Sequence, residues 1–184
     1  MRSRRVVLLA AIVLAGGAAA LTFAVTRSSG GGPGPLNLQM DGAGMGMTWN
    51  SGEPFSVSGP WVIRNPSDHA LVLDRVEFVG PHQGLGILGA YVSPLAHVES
   101  RIAFPGFHVP SFGHALPGAV IEPHTQLQLV FGLKATKRGR STFNGLNVLY
   151  HDGSTSYVAR AGLAVAVCTW HTTKPCHDPL WAGS

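Results

Sequence analysis

Apolar residues in most of this chain recur in short runs rich in Val, Ile, Leu and aromatic residues, separated by Gly, Pro, Asn and Asp. In the stretch PWVIRNPSDHALVLDRVEFVG, one run over residues 61–64 ends at Asn65-Pro66-Ser67-Asp68, and another follows over residues 70–79. Pro cannot donate a hydrogen bond to a β-ladder, and Asn and Asp favour turns. The pattern therefore predicts a strand, a turn and a second strand, although neither alternate face of the second run is cleanly apolar.

Further strands are predicted wherever the same pattern returns. An Asp152-Gly153 pair favours a tight hairpin between the last two runs. The remaining predicted strands cover residues 55–57, 87–92, 98–104, 119–122, 126–133, 146–150 and 157–169. Short strands in this number, without an amphipathic helix among them, predict an all-β, immunoglobulin-like antiparallel β-sandwich. Cupredoxin-like and jelly-roll sandwiches have the same signature, so the sequence leaves them open.

An uncharged apolar run at residues 6–25 precedes the predicted strands. As a helix it would be about 30 Å long, which matches the hydrocarbon thickness of a bilayer. Arg2, Arg4 and Arg5 lie before it, so the positive-inside rule places residues 1–5 in the cytoplasm and the rest of the chain outside. We expect a single-pass signal anchor in the cell membrane with an extracytoplasmic C-terminal domain.

A cleaved signal peptide is the alternative interpretation of the same segment. Residues 6–15 would serve as a short apolar core, and Ala18-Ala19-Ala20 resembles a processing site. In that case the mature protein would be secreted.

The remainder of the chain divides into a linker and one domain. Residues 26–50 are rich in Gly, Pro and Met and predict a flexible linker, and residues 51–184 predict the β-sandwich, which is long enough for a single core. Four of the thirteen basic residues precede Ser28, which leaves nine basic against nine acidic residues in the exported part. This balance gives no support to nucleic-acid binding, and we interpret the basic run at residues 134–140 as a charged turn between strands.

Both cysteines lie in CTWHTTKPCHD, residues 168–178. Outside the cytoplasm, two cysteines usually form a disulfide, so we predict a bond between Cys168 and Cys176. The alternative is a tetrahedral metal site that combines these thiolates with His171 and His177. The spacing matches no common zinc motif.

A second possible metal site lies in QMDGAGMGMTW, where Met45 and Met47 alternate with small residues. Thioether sulfurs are soft ligands suited to Cu(I), and in exported proteins they can act together with histidines such as His171 and His177. The simpler interpretation is that both methionines fill space at the edge of the sandwich. We therefore expect no cofactor, with copper as the alternative.

A third candidate is the irregular stretch FPGFHVPSFGHALPGA, residues 104–119. Long loops in compact domains often carry function, so the aromatic and histidine side chains here predict a binding loop. The alternative is a loop whose aromatic rings pack back onto the sandwich. The residues concerned are Phe104, Phe107, His108, Phe112 and His114.

Local motifs for common enzymes are absent from the sequence, including a nucleophile elbow, a phosphate-binding loop and a zinc-protease motif. Frequent Gly, Ala and Pro, with Arg in excess of Lys, indicate a GC-rich bacterial genome. We therefore expect a non-catalytic, membrane-anchored bacterial β-sandwich that binds or scaffolds an envelope component, with an envelope protein as the partner. The alternative function is an extracytoplasmic domain that handles copper or another metal through Met and His ligands.

Overall fold

A computed structural model describes residues 34–39, 41–58, 61–80, 82, 84–97 and 103–169. These residues form thirteen β-strands and one turn of 3₁₀ helix at Leu95–His97. The strands are β1 (Asn37–Gln39), β2 (Asp41–Trp49), β3 (Pro54–Val57), β4 (Val62–Arg64), β5 (Leu71–Phe78), β6 (Leu85–Pro94), β7 (Ala103–Pro105), β8 (His114–Ala115), β9 (Ala119–Ile121), β10 (Gln126–Ala135), β11 (Arg140–Phe143), β12 (Leu146–Asp152) and β13 (Thr155–Thr169).

Seven of these strands form the first sheet, sheet I, around the central strand β10. One edge of β10 pairs with β3 and β4, and its other edge pairs with β6. Outside these strands, β1 pairs with β4, β7 pairs with β3 and β8 pairs with β6. All of these pairs are antiparallel, and β8 is the outermost strand on one side.

The other six strands form the second sheet, sheet II, around the long strand β13. One edge of β13 pairs with β11 and β12, and the sheet continues through β5 to β9. The opposite edge pairs with β2. Within the described part of the chain, β2–β13 is the one parallel pair.

The inner faces of the two sheets share one apolar core. Its largest fully buried side chains are Tyr150, Phe55, Phe131, Phe143, Ile63, Leu71, Leu73, Ile121, Leu129, Leu133 and Leu146. Phe131 of sheet I meets Phe143 of sheet II in an edge-to-face contact with ring centroids 6.4 Å apart. The predicted all-β sandwich is therefore confirmed, and its immunoglobulin-like type stays a prediction.

A β-bulge explains the mixed faces of the run at residues 70–79. Leu149 pairs with Arg75, whereas the next residue of β12, Tyr150, pairs with Leu73, so Asp74 is an extra residue in β5. A bulge of this kind reverses the alternation of side chains beyond it. As a result Leu71, Leu73, Val76 and Phe78 all contribute to the core face of β5.

The predicted linker at residues 26–50 is wrong for the part that the structure describes. Asn37–Gln39 forms β1 on the edge of β4, and Asp41–Trp49 forms β2 beside β13. The glycines and methionines have weak local strand preference, so pairing with β4 and β13 decides their conformation. The sandwich thus begins before residue 51.

Of the predicted strand at residues 98–104, residues 103 and 104 lie in β7, Ala103–Pro105, and residues 98–102 lie outside the described residues. The strands β8 and β11 were not predicted, since each is short and largely polar or small. Among the described residues, no helix has the length and apolar character needed to cross a membrane. The predicted transmembrane segment, residues 6–25, lies outside the described residues.

Candidate binding edge

The segment that joins β7 to β8 crosses the outer face of sheet I. The ring of Phe107 lies over Gly132 of β10 and Gly89 of β6, which pair directly across the two strands. A Cβ atom at Gly132 would come within 2.2 Å of Phe107 Cγ, so the absence of a side chain makes room for the ring. The Ser56 hydroxyl also donates a hydrogen bond of 2.7 Å to the Gly106 carbonyl. Phe107 therefore packs onto the sandwich.

Phe104 and His108 occupy different environments on either side of this packed ring. Phe104 lies in β7 opposite Ser56 and is half-buried. His108 is exposed at the next position after Phe107. Among Phe104, Phe107 and His108 of the predicted binding loop, His108 alone is exposed.

Phe112 remains at the surface. Its ring stacks on the imidazole of His97, with centroids 4.5 Å apart and an angle of 21° between the ring planes. His97 closes the 3₁₀ turn that follows β6. The two rings form a flat aromatic surface that sequence reasoning could not predict, because the two residues lie far apart along the chain.

His114 lies in β8 opposite Val92 and is exposed. It lines an open groove of about 630 Å³ between β8, the outermost strand of sheet I, and β9, the outermost strand of sheet II. Glu122 and Thr125 contribute further polar groups, and the rest of the lining is mostly apolar or small. The groove has the size of a ligand pocket, but it is open along its length.

Exposed large apolar side chains concentrate around this groove. We call the surface formed by β6, β8, β9, the 3₁₀ turn and the β7–β8 segment the β8–β9 edge. All five exposed large apolar side chains of the described residues lie on it, namely Leu88 (46% exposed), Leu95 (39%), Val109 (39%), Phe112 (38%) and Val120 (43%). Single exposed apolar residues are ordinary, whereas several on neighbouring elements indicate a candidate interaction surface.

A smaller cleft of about 220 Å³ continues the β8–β9 edge past Pro117. It lies between β5 and β6, where Asp74 and Leu88 contribute to its lining. Leu88 is the extra residue of a bulge in β6, since Gly89 pairs with Gly132 and Ile87 pairs with Leu133. The bulge directs an apolar side chain outwards at a position that the sequence predicts as an ordinary strand.

The buried side chain of Asn65 holds β9 in place beside the groove. Its amide nitrogen donates to the carbonyls of His69 (2.7 Å), Ile121 (3.0 Å) and Glu122 (3.2 Å). Its carbonyl oxygen accepts from the backbone N–H of Ser67 at 3.0 Å and from the Ser67 hydroxyl at 2.7 Å. A buried amide with all these bonds fixes the β4–β5 turn against the end of β9.

A His–Asp pair lies on sheet II beside the smaller cleft, which Asp74 lines. His151 Nδ1 is 3.1 Å from Asp74 Oδ1, and both side chains are mostly buried, at 21% and 20% exposure. The described part of the chain contains no group of three or more His, Cys, Asp or Glu side chains that could hold a metal ion.

Of the candidate disulfide and metal-binding residues, Cys168 and Met47 have described side chains. Cys168 is buried in β13, while Cys176, His171 and His177 lie outside the described residues. The pairing of Cys168 with Cys176 therefore stays a prediction. Met47 packs against the core from β2, as expected for a space-filling residue. The side chain of Met45 is not among those described, and the copper site stays a prediction.

Tyr150 is the titratable group whose ionisation the fold shifts most clearly. Its side chain is fully buried, and the Leu36 backbone N–H donates a hydrogen bond of 3.0 Å to its hydroxyl oxygen. Burial raises the pKa of Tyr150 above its ordinary value, the hydrogen bond from Leu36 opposes this rise, and the neighbouring Tyr157 adds to it. The phenol ties the first described residues to the core.

Comparisons with known proteins give no family. No family model matches the chain, and no curated protein matches it significantly. Among solved structures, the ASH / PapD-like domain of human CEP192 (PapD-like domain 7) is 14% identical with a TM-score of 0.38, over 73% of this chain and 86% of that domain. The VesB protease of Vibrio cholerae is 10% identical with a TM-score of 0.37, over 73% of this chain and 32% of the protease chain. The chain thus spans about a third of that protease, and neither similarity is close enough to bear on function.

Proposed function

We propose that this chain is a non-catalytic, immunoglobulin-like β-sandwich that is anchored in the cell membrane and binds an envelope component through the β8–β9 edge. The observation that supports it is the concentration of exposed apolar side chains on this one edge. Partner binding would remove that apolar surface from water, and an envelope protein is the expected partner.

Two properties of the β8–β9 edge suit it to protein recognition. The stacked rings of Phe112 and His97 give a rigid, partly apolar anchor of the kind that dominates protein interfaces. The polar groups of His114, Glu122 and Thr125 lie in the adjoining groove and supply hydrogen bonds at its rim. An edge that combines both can bind a partner with a defined orientation.

A photo-crosslinking amino acid placed in living cells tests this function. Introduced at Phe112 or Val120, it should give one discrete higher-mass adduct of the chain. Introduced at Glu77 or Arg160, which are exposed on the outer face of sheet II, it should give none. Equal adducts from both pairs of positions, or no adduct from the edge positions, would contradict the proposal.

The membrane topology has its own test. A reporter fused after Ser184 should be active only outside the cytoplasm, because the apolar segment and its preceding arginines place the domain there. Cytoplasmic activity of the fusion would contradict the localisation. Mature soluble protein that begins near Leu21 would instead establish secretion after cleavage.

A further inference from the structure

Charged side chains of the sandwich are concentrated at its two ends, although the exported part has equal numbers of acidic and basic residues. The turn between β10 and β11, residues 136–139, carries the exposed Lys137 and Arg138 and is flanked by Lys134 and the exposed Arg140. We call the surface around these four residues the basic end. The basic run at residues 134–140 stands out in the sequence, but its separation from the acidic residues depends on the fold.

Several backbone hydrogen bonds define the basic end. The Thr136 N–H donates to the Gly84 carbonyl at 2.8 Å, and the Gly52 N–H donates to the Ala135 carbonyl at 2.8 Å. The Gly139 N–H donates to the Thr169 hydroxyl at 2.7 Å. The turns before β3, before β6 and after β10, together with the last residue of β13, therefore meet at this end.

The opposite end of the sandwich carries Asp68, Glu122 and Asp152, with Arg64 as its basic residue. The imidazole Nε2 of His124 lies 2.9 Å from Asp68 Oδ1, which brings the β4–β5 and β9–β10 turns together. Strand β10 has ten residues between the two ends, which corresponds to about 30 Å. The two charged surfaces are thus well separated.

Three of the four cations of the basic end form no ion pair with a described residue. Among the ion pairs of the described residues, none includes Lys134, Lys137 or Arg138. Glu53 lies on the turn that precedes β3, where it accepts a hydrogen bond of 2.8 Å from the Asn50 amide. A positive surface of this kind attracts anionic partners and raises their rate of association.

We propose that the basic end binds an acidic segment of another envelope protein. This deepens the proposed function, on which it rests, by naming the chemistry of a second partner surface. Strand β1 starts beside Arg64 at the opposite end, so the anchor of the proposed function would join the sandwich at the end away from the basic residues. That orientation favours a protein partner over the lipid surface, and Arg and Lys side chains bind carboxylates through charge-assisted hydrogen bonds.

Binding of poly-L-glutamate to the full chain in phosphatidylcholine nanodiscs tests the inference. Lys137→Glu with Arg138→Glu should weaken binding about tenfold or more, because two exposed ion pairs are lost and two repulsions are gained. Arg64→Glu with Arg160→Glu changes the net charge equally at exposed positions elsewhere and should leave binding nearly unchanged. Equal melting temperatures of the two variants confirm that both remain folded.

Three results would overturn the proposal. These are no binding of poly-L-glutamate to the unaltered chain, equal weakening by both double variants, and tighter binding of the basic end to phosphatidylglycerol vesicles than to poly-L-glutamate. The first two would show that the basic end is not a specific surface, and the third would assign it to lipid. Each leaves the adducts from Phe112 and Val120 unaffected, so failure here is distinguishable from failure of the proposed function.

Discussion

Phe107 and Phe112 lie five positions apart in one irregular segment, yet their environments differ completely. Phe107 packs over a pair of facing glycines on sheet I, whereas Phe112 stacks on His97 at the surface. The same residue type thus closes the outer face of sheet I in the first half of the segment and forms part of an open edge in the second. The difference is made by residues on β6 and β10, which lie distant in sequence.

The largest effect on stability is expected from Asn65→Ala, which removes the hydrogen bonds that hold β9 beside the groove. The substitution removes five hydrogen bonds. The Ser67 hydroxyl still donates to the His69 carbonyl, so a cost of about 1 kcal/mol is counted for each of the other three, with the Ile121 carbonyl, the Glu122 carbonyl and the Ser67 N–H. Urea unfolding should show a loss of about 3 kcal/mol.

The matched control for this prediction is Asn144→Ala. Asn144 is exposed and its backbone N–H bonds to the Val79 carbonyl, which the substitution preserves. We expect a change within about 0.5 kcal/mol. A similar small change for Asn65→Ala would show that the amide network does not hold β9.

The next effect concerns the predicted disulfide, whose described cysteine, Cys168, lies in β13 of sheet II. Cys168→Ala with Cys176→Ala should lower the unfolding free energy by roughly 2–3 kcal/mol in the chain-entropy model. Metal content and the adducts from Phe112 should not change. The intact mass of the unaltered chain should be two hydrogens below that of the reduced chain. Readily alkylated thiols, with zinc or copper that disappears in the variant, would favour the metal site.

The direct comparison of the two phenylalanines should give a smaller difference. Phe107→Ala removes a half-buried ring from sheet I and should cost about 2 kcal/mol. Phe112→Ala removes an exposed ring and should change stability by less than about 0.5 kcal/mol. Chemical unfolding of both variants measures this contrast, and equal losses would contradict it.

A double-mutant cycle sharpens this contrast. Gly132→Ala alone should destabilise the fold, because the new methyl group displaces the Phe107 ring. In the presence of Phe107→Ala the same substitution should cost little, since neighbouring substitutions that share a contact are not additive. Additive effects would show that Phe107 does not rest on Gly132.

The smallest effect is expected from Tyr150→Phe. At neutral pH the loss of the bond from the Leu36 N–H should cost about 1 kcal/mol. Because burial raises the pKa of Tyr150 in the folded state, its contribution is complete below about pH 10 and is lost as the pH rises through the folded-state pKa. The stability difference between the unaltered chain and the variant should therefore shrink in alkaline solution. A constant difference would contradict the shift.

Local sequence signals predicted much of the sandwich, and tertiary pairing decided the rest. The run at residues 70–79 is close to the observed β5, Leu71–Phe78, because Asn65-Pro66 and Gly80 bound an apolar stretch. The glycine-rich β2 gave no such signal, since its conformation depends on β13 at the far end of the chain. The mixed faces of β5 likewise required the bulge at Asp74, which only the register with β12 reveals.

The candidate site was also predicted only in part, because it depends on contacts between strands that lie far apart in the sequence. Phe112 and His114 were singled out from composition, and both lie at the β8–β9 edge. Val120 and Leu95 were not, because an apolar residue in or beside a strand is normally assigned to the core. Their exposure follows from the short outer strands, which no local pattern indicates.

The central claim is that the β8–β9 edge is covered by a partner in the cell while the outer face of sheet II stays open. Carbene footprinting of native membranes and of the purified full chain measures this directly. Labelling of Phe112 and Val120 should fall in native membranes, whereas labelling of Glu77 and Arg160 should be the same in both preparations. Equal labelling of Phe112 and Val120 in the two preparations would contradict it.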